Sequence, residues 1–251
     1  MKTFKARGIV VREYEAGESD KRLVLLCKEL GRVLAYAKGA RKAKSKFLAA
    51  SQLFTYGDFV LNGGTGFNSV AQAEVIESFY KLRSDYERLL HAQRFAEICE
   101  RTVLENTQCD ELLLLLLKSL SHLCGSAYSP THVSCVFMFR FFKYYGLSPS
   151  TDSCCKCGGD ENLGFLCGEG AVCGECARGA AFAVSQGALC AMRHILGAEL
   201  KEAFMFEASD GVLAELTKAG KLLWDCHFDV RLKTDKLLET QVIHRVVAEA
   251  D

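Results

Sequence analysis

The sequence predicts an α+β protein of more than one domain, in which a small N-terminal β-barrel precedes a mainly α-helical region carrying a cysteine-rich insert. Three observations point there. Short β-like segments broken by glycine-containing turns fill the first 80 residues. Helical spacing of apolar residues sets in near Lys81. Two C-x-x-C pairs then fall between stretches of helical pattern. A chain of 251 residues, 49% of them apolar, can bury a substantial core, and its 21 glycines and 2 prolines form no low-complexity tether, so abutting modules are expected.

The β-like segments are Arg7–Tyr14, Arg22–Cys27, Arg32–Lys38, Gln52–Leu61 and Ser69–Ile76. Between them stand Glu15-Ala16-Gly17, Glu29-Leu30-Gly31, Gly39 and the cluster Asn62 to Gly66, which are turn signals. Five strands in about 80 residues fit an OB-fold, an open Greek-key barrel that commonly binds single-stranded nucleic acid.

From Lys81 the positions Leu82, Tyr86, Leu89, Leu90, Phe95, Ile98 and Cys99 follow a helical period. Further helices are predicted at Asp110–Cys124, which carries the six leucines Leu112 to Leu117, and at Thr131–Tyr145, opened by Ser129-Pro130 and closed by Gly146. Beyond the insert, Ser185–Leu196, Leu213–Phe228 and Leu232–Val247 read as helices. The expected division is therefore a barrel domain at 1–80 and a helical domain at 81–251 with the insert at 148–180.

Thirteen cysteines without an apolar export segment, and no apolar run near the roughly 20 residues a membrane helix needs, lead to the expectation of a reduced, cytoplasmic protein with no membrane association. Cys154, Cys157, Cys173 and Cys176 have the spacing of a four-thiolate site: each C-x-x-C turn presents two sulfurs, and two such turns complete the tetrahedron that Zn²⁺ accepts. Four thiolates leave no position for water, so such a zinc is structural; an iron–sulfur cluster also fits four cysteines. Cys155 and Cys167 are additional thiols that could replace a ligand but would break the symmetric pairing.

Formal net charge is zero, yet residues 1–80 carry 13 Lys plus Arg against 8 Asp plus Glu, while residues 152–251 carry 10 against 16. Between Arg32 and Lys46 stand Arg32, Lys38, Arg41, Lys42, Lys44 and Lys46 with no acid, and Lys21 and Arg22 extend the run. On a barrel strand and its following loop these cations would track a phosphate backbone; a solvated surface loop is the plainer reading of any single lysine. Tyr36, Phe47 and Phe54 are candidate stacking faces for bases, although small barrels also fill their interiors with residues like Phe47 and Phe54. No phosphate-binding loop, H-E-x-x-H, G-x-S-x-G or H-x-E motif occurs, and the six histidines are scattered, so no catalytic residue is assigned and a non-enzymatic role is expected.

Gly8-Ile9-Val10-Val11, Gly17 to Leu23, Glu29-Leu30-Gly31, Ala37 to Arg41, Phe137-Met138-Phe139-Arg140 and Gly146 to Pro149, just ahead of the first C-x-x-C-G, follow one another in an order that resembles the RecO family of bacterial recombination mediators. The resemblance implies an N-terminal OB-fold, a helical domain with a zinc motif, and a protein that binds single- and double-stranded DNA and anneals complementary strands. With RecR, such a protein helps load RecA onto DNA coated by single-strand-binding protein. It places the family's basic barrel stretch on Lys38, Arg41, Lys42, Lys44 and Lys46. The acidic, apolar-ended tail of single-strand-binding protein would need a cationic groove, for which Arg94, Arg101, Arg140 and Lys143 are candidates. The rival classes are a zinc-dependent enzyme acting on nucleic acid, which needs an open metal position, and a transcriptional or ribosomal scaffold, which would prefer operator duplex or structured RNA.

Overall fold

The computed structural model describes residues 3–64, 67–125, 127–178, 182–238 and 240. Its compact units are 1–124 with 232–251, and 125–231. The family of five N-terminal strands, β1 (Thr3–Ala16), β2 (Asp20–Cys27), β3 (Gly31–Ala37), β4 (Tyr56–Asn62) and β5 (Asn68–Glu77), closes into a barrel of order β1-β2-β3-β5-β4. All pairs are antiparallel except β3 with β5. That is the five-stranded, OB-like topology the turn spacing predicts.

Closure depends on β1. Its first half pairs with β4, from Thr3 opposite Asn62 to Ile9 opposite Tyr56, and its second half with β2, from Gly8 opposite Cys27 to Ala16 opposite Asp20. A register shift between Val10 and Arg12 bends the strand from one partner to the other. At Gly8 both neighbours converge, and a Cβ there would run into the Leu26 carbonyl and the Cys27 sulfur. Val10, Leu23, Leu25, Val33, Ala35, Phe59, Leu61 and Val70 fill the interior.

Two helices belong to the same unit. α1 (Tyr86–Thr102) starts on Asp85, whose carboxylate accepts from the Arg88 N–H at 3.1 Å. α2 (Asp110–Cys124) carries the leucine run, of which Leu112, Leu113, Leu115 and Leu116 are buried. The carbonyl of Leu123 near its end accepts from Arg88 Nη1 at 2.9 Å. These helices grip the barrel through polar contacts: Arg12 pairs with Glu100 at 3.4 Å, Lys28 pairs with Asp110 at 3.1 Å, and the Arg32 N–H donates to the Leu104 carbonyl at 3.1 Å. The compact unit that holds the barrel runs on to Cys124, because the first two helices bury their faces with the barrel.

The second unit holds α3 (Pro130–Tyr144), α4 (Gln186–Gly197) and α5 (Asp210–His227), with a small sheet β6 (Leu163–Cys167), β7 (Gly170–Cys173) and β8 (Phe182–Ala183) in the order β7-β6-β8. Ser129, Ser185 and Ser209 cap the three helices through their hydroxyls. Phe141 of α3 lies between Phe137, Trp224 and Phe228, and Trp224 stacks on Phe228 with centroids 4.6 Å apart. Among the described residues no helix is long and apolar enough to cross a membrane. Residues 233–238 are helical, and the remainder of the helix expected to reach Val247 lies outside the described residues, as do Thr65, Gly66 and residues 179–180 of the insert.

That last helix is capped by a group the sequence did not single out. Glu97 of α1, 2% exposed, accepts from the backbone N–H groups of Lys233 and Thr234 at 3.0 Å each and from the Thr234 hydroxyl at 2.9 Å. Burial pushes its carboxyl pKa up, but these donors and Arg101 outweigh burial and hold it below the usual range. Because the folded pKa is depressed, the carboxylate stabilises the fold above the ordinary value of about 4.5 and that contribution is lost as pH falls through the folded pKa. Glu97→Ala is expected to cost roughly 2–3 kcal/mol in denaturant unfolding at pH 7 and to weaken the loss of stability as pH falls below about 4.5; unchanged stability would remove Glu97 from this role.

Candidate nucleic-acid interface and metal centre

The long β3–β4 connection, residues 38–55, carries most of the basic run and is held at both ends. At its start, Asp20 accepts from the Gly39 N–H at 2.6 Å and from the Tyr36 hydroxyl at 2.9 Å, bonds that keep the Asp20 carboxyl below its ordinary pKa. At its end, the Phe54 N–H donates to the Val10 carbonyl at 2.8 Å, where β1 bends. Arg41 stitches the loop to the β1–β2 turn through its N–H to Ser19 at 2.8 Å and its guanidinium to Glu15 at 3.1 Å. Lys38, Lys42 and Lys44 are exposed and form no ion pair among the described residues. Lys46 is exposed too, with its ammonium 4.8 Å from the Phe47 ring centroid and 3.1 Å from the Ala71 carbonyl.

Several expected contacts need correction. Phe47 and Phe54 are 6% and 1% exposed, so neither offers a ring face to a base; Phe47 is packed in the barrel interior. Tyr36 is half-buried with its hydroxyl engaged on Asp20. Lys21 is turned inward, its ammonium paired with Glu13 and 3.4 Å from the Ser51 carbonyl, which leaves it no hold on a phosphate. Arg32 is half-buried against α1, with Nη1 3.4 Å from the Glu100 carbonyl and Nη2 3.7 Å from Glu105. In unit 2, Arg140 donates to the Ala198 carbonyl and Lys143 to the Leu196 carbonyl at 2.6 Å, finishing α4; in unit 1, Arg94 pairs with Asp235 at 2.6 Å and Arg101 with Glu97 at 3.7 Å. These four cations therefore have structural partners.

Exposed aromatic faces occur elsewhere on the barrel. Tyr14, Arg22, Leu34, Arg32, Phe67 and Glu100 line an open cleft of about 400 Å³. Tyr14 is 41% and Phe67 45% exposed, and the guanidiniums of Arg12 and Arg22 sit 5.3 and 5.6 Å from the Tyr14 centroid. The signal was present in the sequence: an aromatic beside the glycine cluster at Asn62 to Gly66 has little reason to be core.

In unit 2 the four motif sulfurs converge. Cys154 and Cys157 sit on one tight turn, where the Cys154 N–H donates to the Gly159 carbonyl at 2.7 Å and the Gly158 N–H returns to Cys154 at 2.9 Å. Cys173 ends β7, and the Cys176 N–H donates to its carbonyl at 3.1 Å. All four sulfurs lie within 4.8 Å of one another, with Cys157 and Cys173 3.8 Å apart. A tetrahedron with metal–sulfur bonds of about 2.3 Å has edges of about 3.8 Å, so the cluster fits one metal ion. Backbone N–H groups of Cys173 and Cys157 pull the Cys154 pKa down to about 6, whereas hydrogen bonds with Cys173 and Cys157 push Cys176 up to about 12, so Cys154 ionises ahead of Cys176. Arg193 of α4 ties the segment to the helices, donating to the Thr151 carbonyl at 2.6 Å and pairing with Asp152 at 2.9 Å. Cys157→Ser is expected to drop bound metal well below one per chain and to lower the thermal stability of the unit, read by elemental analysis and calorimetry; unchanged metal content would overturn this ligand set.

Comparison with known proteins agrees with both halves. Residues 1–79 match the family model described as Recombination protein O N terminal, and residues 83–236 match Recombination protein O C terminal. The DNA repair protein RecO of Acetivibrio thermocellus is 37% identical over 230 residues, 88% of this chain and 90% of the relative. The DNA repair protein RecO of Symbiobacterium thermophilum is 31% identical over 249 residues, covering 96% and 98%. That of Desulfitobacterium hafniense is 31% identical over 243 residues, covering 93% and 88%. With both domains of the family matched in order over most of its length, the chain belongs to the RecO family of DNA repair proteins.

Proposed function

We propose that the protein is a non-enzymatic recombination mediator of the cytoplasm, associated with the nucleoid. It binds single- and double-stranded DNA on the barrel, anneals complementary strands, and with RecR helps load RecA onto DNA coated by single-strand-binding protein, whose C-terminal tail it contacts. The observation that carries the DNA reading is the coincidence on one barrel of an anchored loop presenting Lys38, Lys42 and Lys44 with a cleft presenting Tyr14, Phe67 and Arg22. Ammonium groups on a held loop follow phosphates of either strand form, while exposed rings favour unpaired bases, which can stack only when unpaired. A surface that holds two strands through their backbones and leaves base edges uncovered lowers the electrostatic barrier to pairing without making or breaking a covalent bond.

The metal of this reading is Zn²⁺, on Cys154, Cys157, Cys173 and Cys176. Bound there it supplies a fixed tetrahedral cross-link between two turns, and with four thiolates around it no position remains for substrate, which weighs against the zinc-enzyme alternative. The residues themselves shape the insert: Leu163, Leu166, Ala171 and Val172 bury its small sheet.

The test is annealing of two complementary fluorescent oligonucleotides coated with single-strand-binding protein, without nucleotide cofactor. Acceleration by the wild type that fades with salt is expected. In parallel, Lys38→Ala/Lys42→Ala/Lys44→Ala should flatten the log–log salt dependence of single-strand binding by about 2, from roughly 0.7 per phosphate contact. No acceleration despite measurable DNA binding would overturn the mediator reading, and an unchanged slope would move the phosphate contacts off this loop.

A further inference from the structure

We infer that unit 2 holds a second metal site, built from Cys155, Cys167 and Glu169, for a thiophilic divalent cation of the zinc and cadmium class. The Cys155 and Cys167 sulfurs are 3.5 Å apart, and a Glu169 carboxylate oxygen lies with them in a group whose ligand atoms all fall within 4.8 Å of one another. Two thiolates on a common ion of this class are separated by nearly the same distance, about 3.8 Å. Consecutive residues thus send their thiols to different clusters, Cys154 to the motif and Cys155 to this one.

The backbone assembles the three donors without help from a metal. Cys167 ends β6 opposite Gly170, so Glu169 sits in the intervening hairpin turn. Gly170, at φ 140°, lies so close to the backbone of Ser150 that a Cβ would clash with it. This contact lets the segment ahead of the motif run beside β7. The Ser150 N–H donates to the Glu169 carbonyl at 3.2 Å, the Ala171 N–H to the Ser150 carbonyl at 2.7 Å, and the Cys155 N–H to the Ala171 carbonyl at 2.9 Å. Donors held this way lose little freedom on binding, which is the condition for a small site to retain an ion. Cys167 is buried, Cys155 half-buried and Glu169 exposed, so the carboxylate side is the entrance. Two sulfurs and one carboxylate leave a fourth position to water, which makes the ion exchangeable and distinguishes this site from the closed four-thiolate one.

The probe is Cd²⁺ added to the zinc-loaded full-length chain, with the exposed Cys190 and Cys226 changed to serine so that surface thiols do not compete. Bound metal is counted after removal of excess, and thiolate-to-metal charge-transfer absorbance is followed. A total of two metal ions per chain, zinc and cadmium together, is expected whether or not cadmium exchanges into the four-thiolate site; the total falls to one in Cys167→Ser, and the second ion is bound roughly tenfold or more weakly in Glu169→Gln. Cys167→Ser is the deciding variant because it lies outside both C-x-x-C pairs, and its zinc content reports whether the motif still folds. A total of only one metal ion per chain in the parent protein, or a total of two that persists in Cys167→Ser, would each overturn the assignment.

Discussion

The unit that carries the proposed nucleic-acid surface depends on one strand serving two partners. β1 hydrogen-bonds to β4 and to β2, and the bend between Val10 and Arg12 converts what would be an open sheet into a barrel. Closure removes the exposed strand edges that invite aggregation and encloses an apolar interior into which Phe47 is drawn. It also decides which side chains face water. Arg12, Tyr14 and Arg22 are brought together on the outside, while Lys21, one residue away, is sequestered on Glu13. The basic loop is tied to the same strand, since Phe54 bonds the backbone of Val10 at the bend. The cations and the ring proposed to meet phosphates and bases are thus placed by a single backbone feature.

Unit 2 is organised differently. Its helical part coheres through aromatic packing around Phe141 and Trp224, whereas its cysteine-rich part buries little apolar surface, chiefly Leu163, Leu166, Ala171 and Val172. A segment with so small a core gains stability from cross-links, and bound metal is the cross-link that four convergent thiolates offer. The tie from Arg193 to Thr151 and Asp152 passes that order to α4.

Much of this was legible in the sequence, for local physical reasons. Each barrel strand is marked to within a few residues because glycine-containing turns bound it, and α3 and α4 because Ser129-Pro130 and Ser185 are caps whose chemistry is written in one or two residues. The metal motif was legible because ligand spacing is itself a local property. Apart from the short β6–β7 hairpin of the insert, the misses are nonlocal. The inward turn of Lys21 follows from its cross-strand neighbourhood with Glu13, and the burial of Phe54 from where the loop returns to β1. The capping of residues 233–238 by Glu97 joins positions far apart in the chain. Alternation along a strand says that two faces exist; it does not say which cation finds an acid across the sheet.

On the proposed function, the outer barrel surface from Arg12 to Lys46, with Phe67, meets DNA. Hydrogen exchange of the full-length protein with and without a short oligothymidine tests it most directly, because backbone protection reports the contact surface without any substitution. Protection is expected in the peptides spanning residues 12–22, 32–46 and 67–69 while unit 2 is unchanged; protection concentrated in α3, α4 or the cysteine-rich segment, with the barrel unaffected, would overturn the barrel assignment.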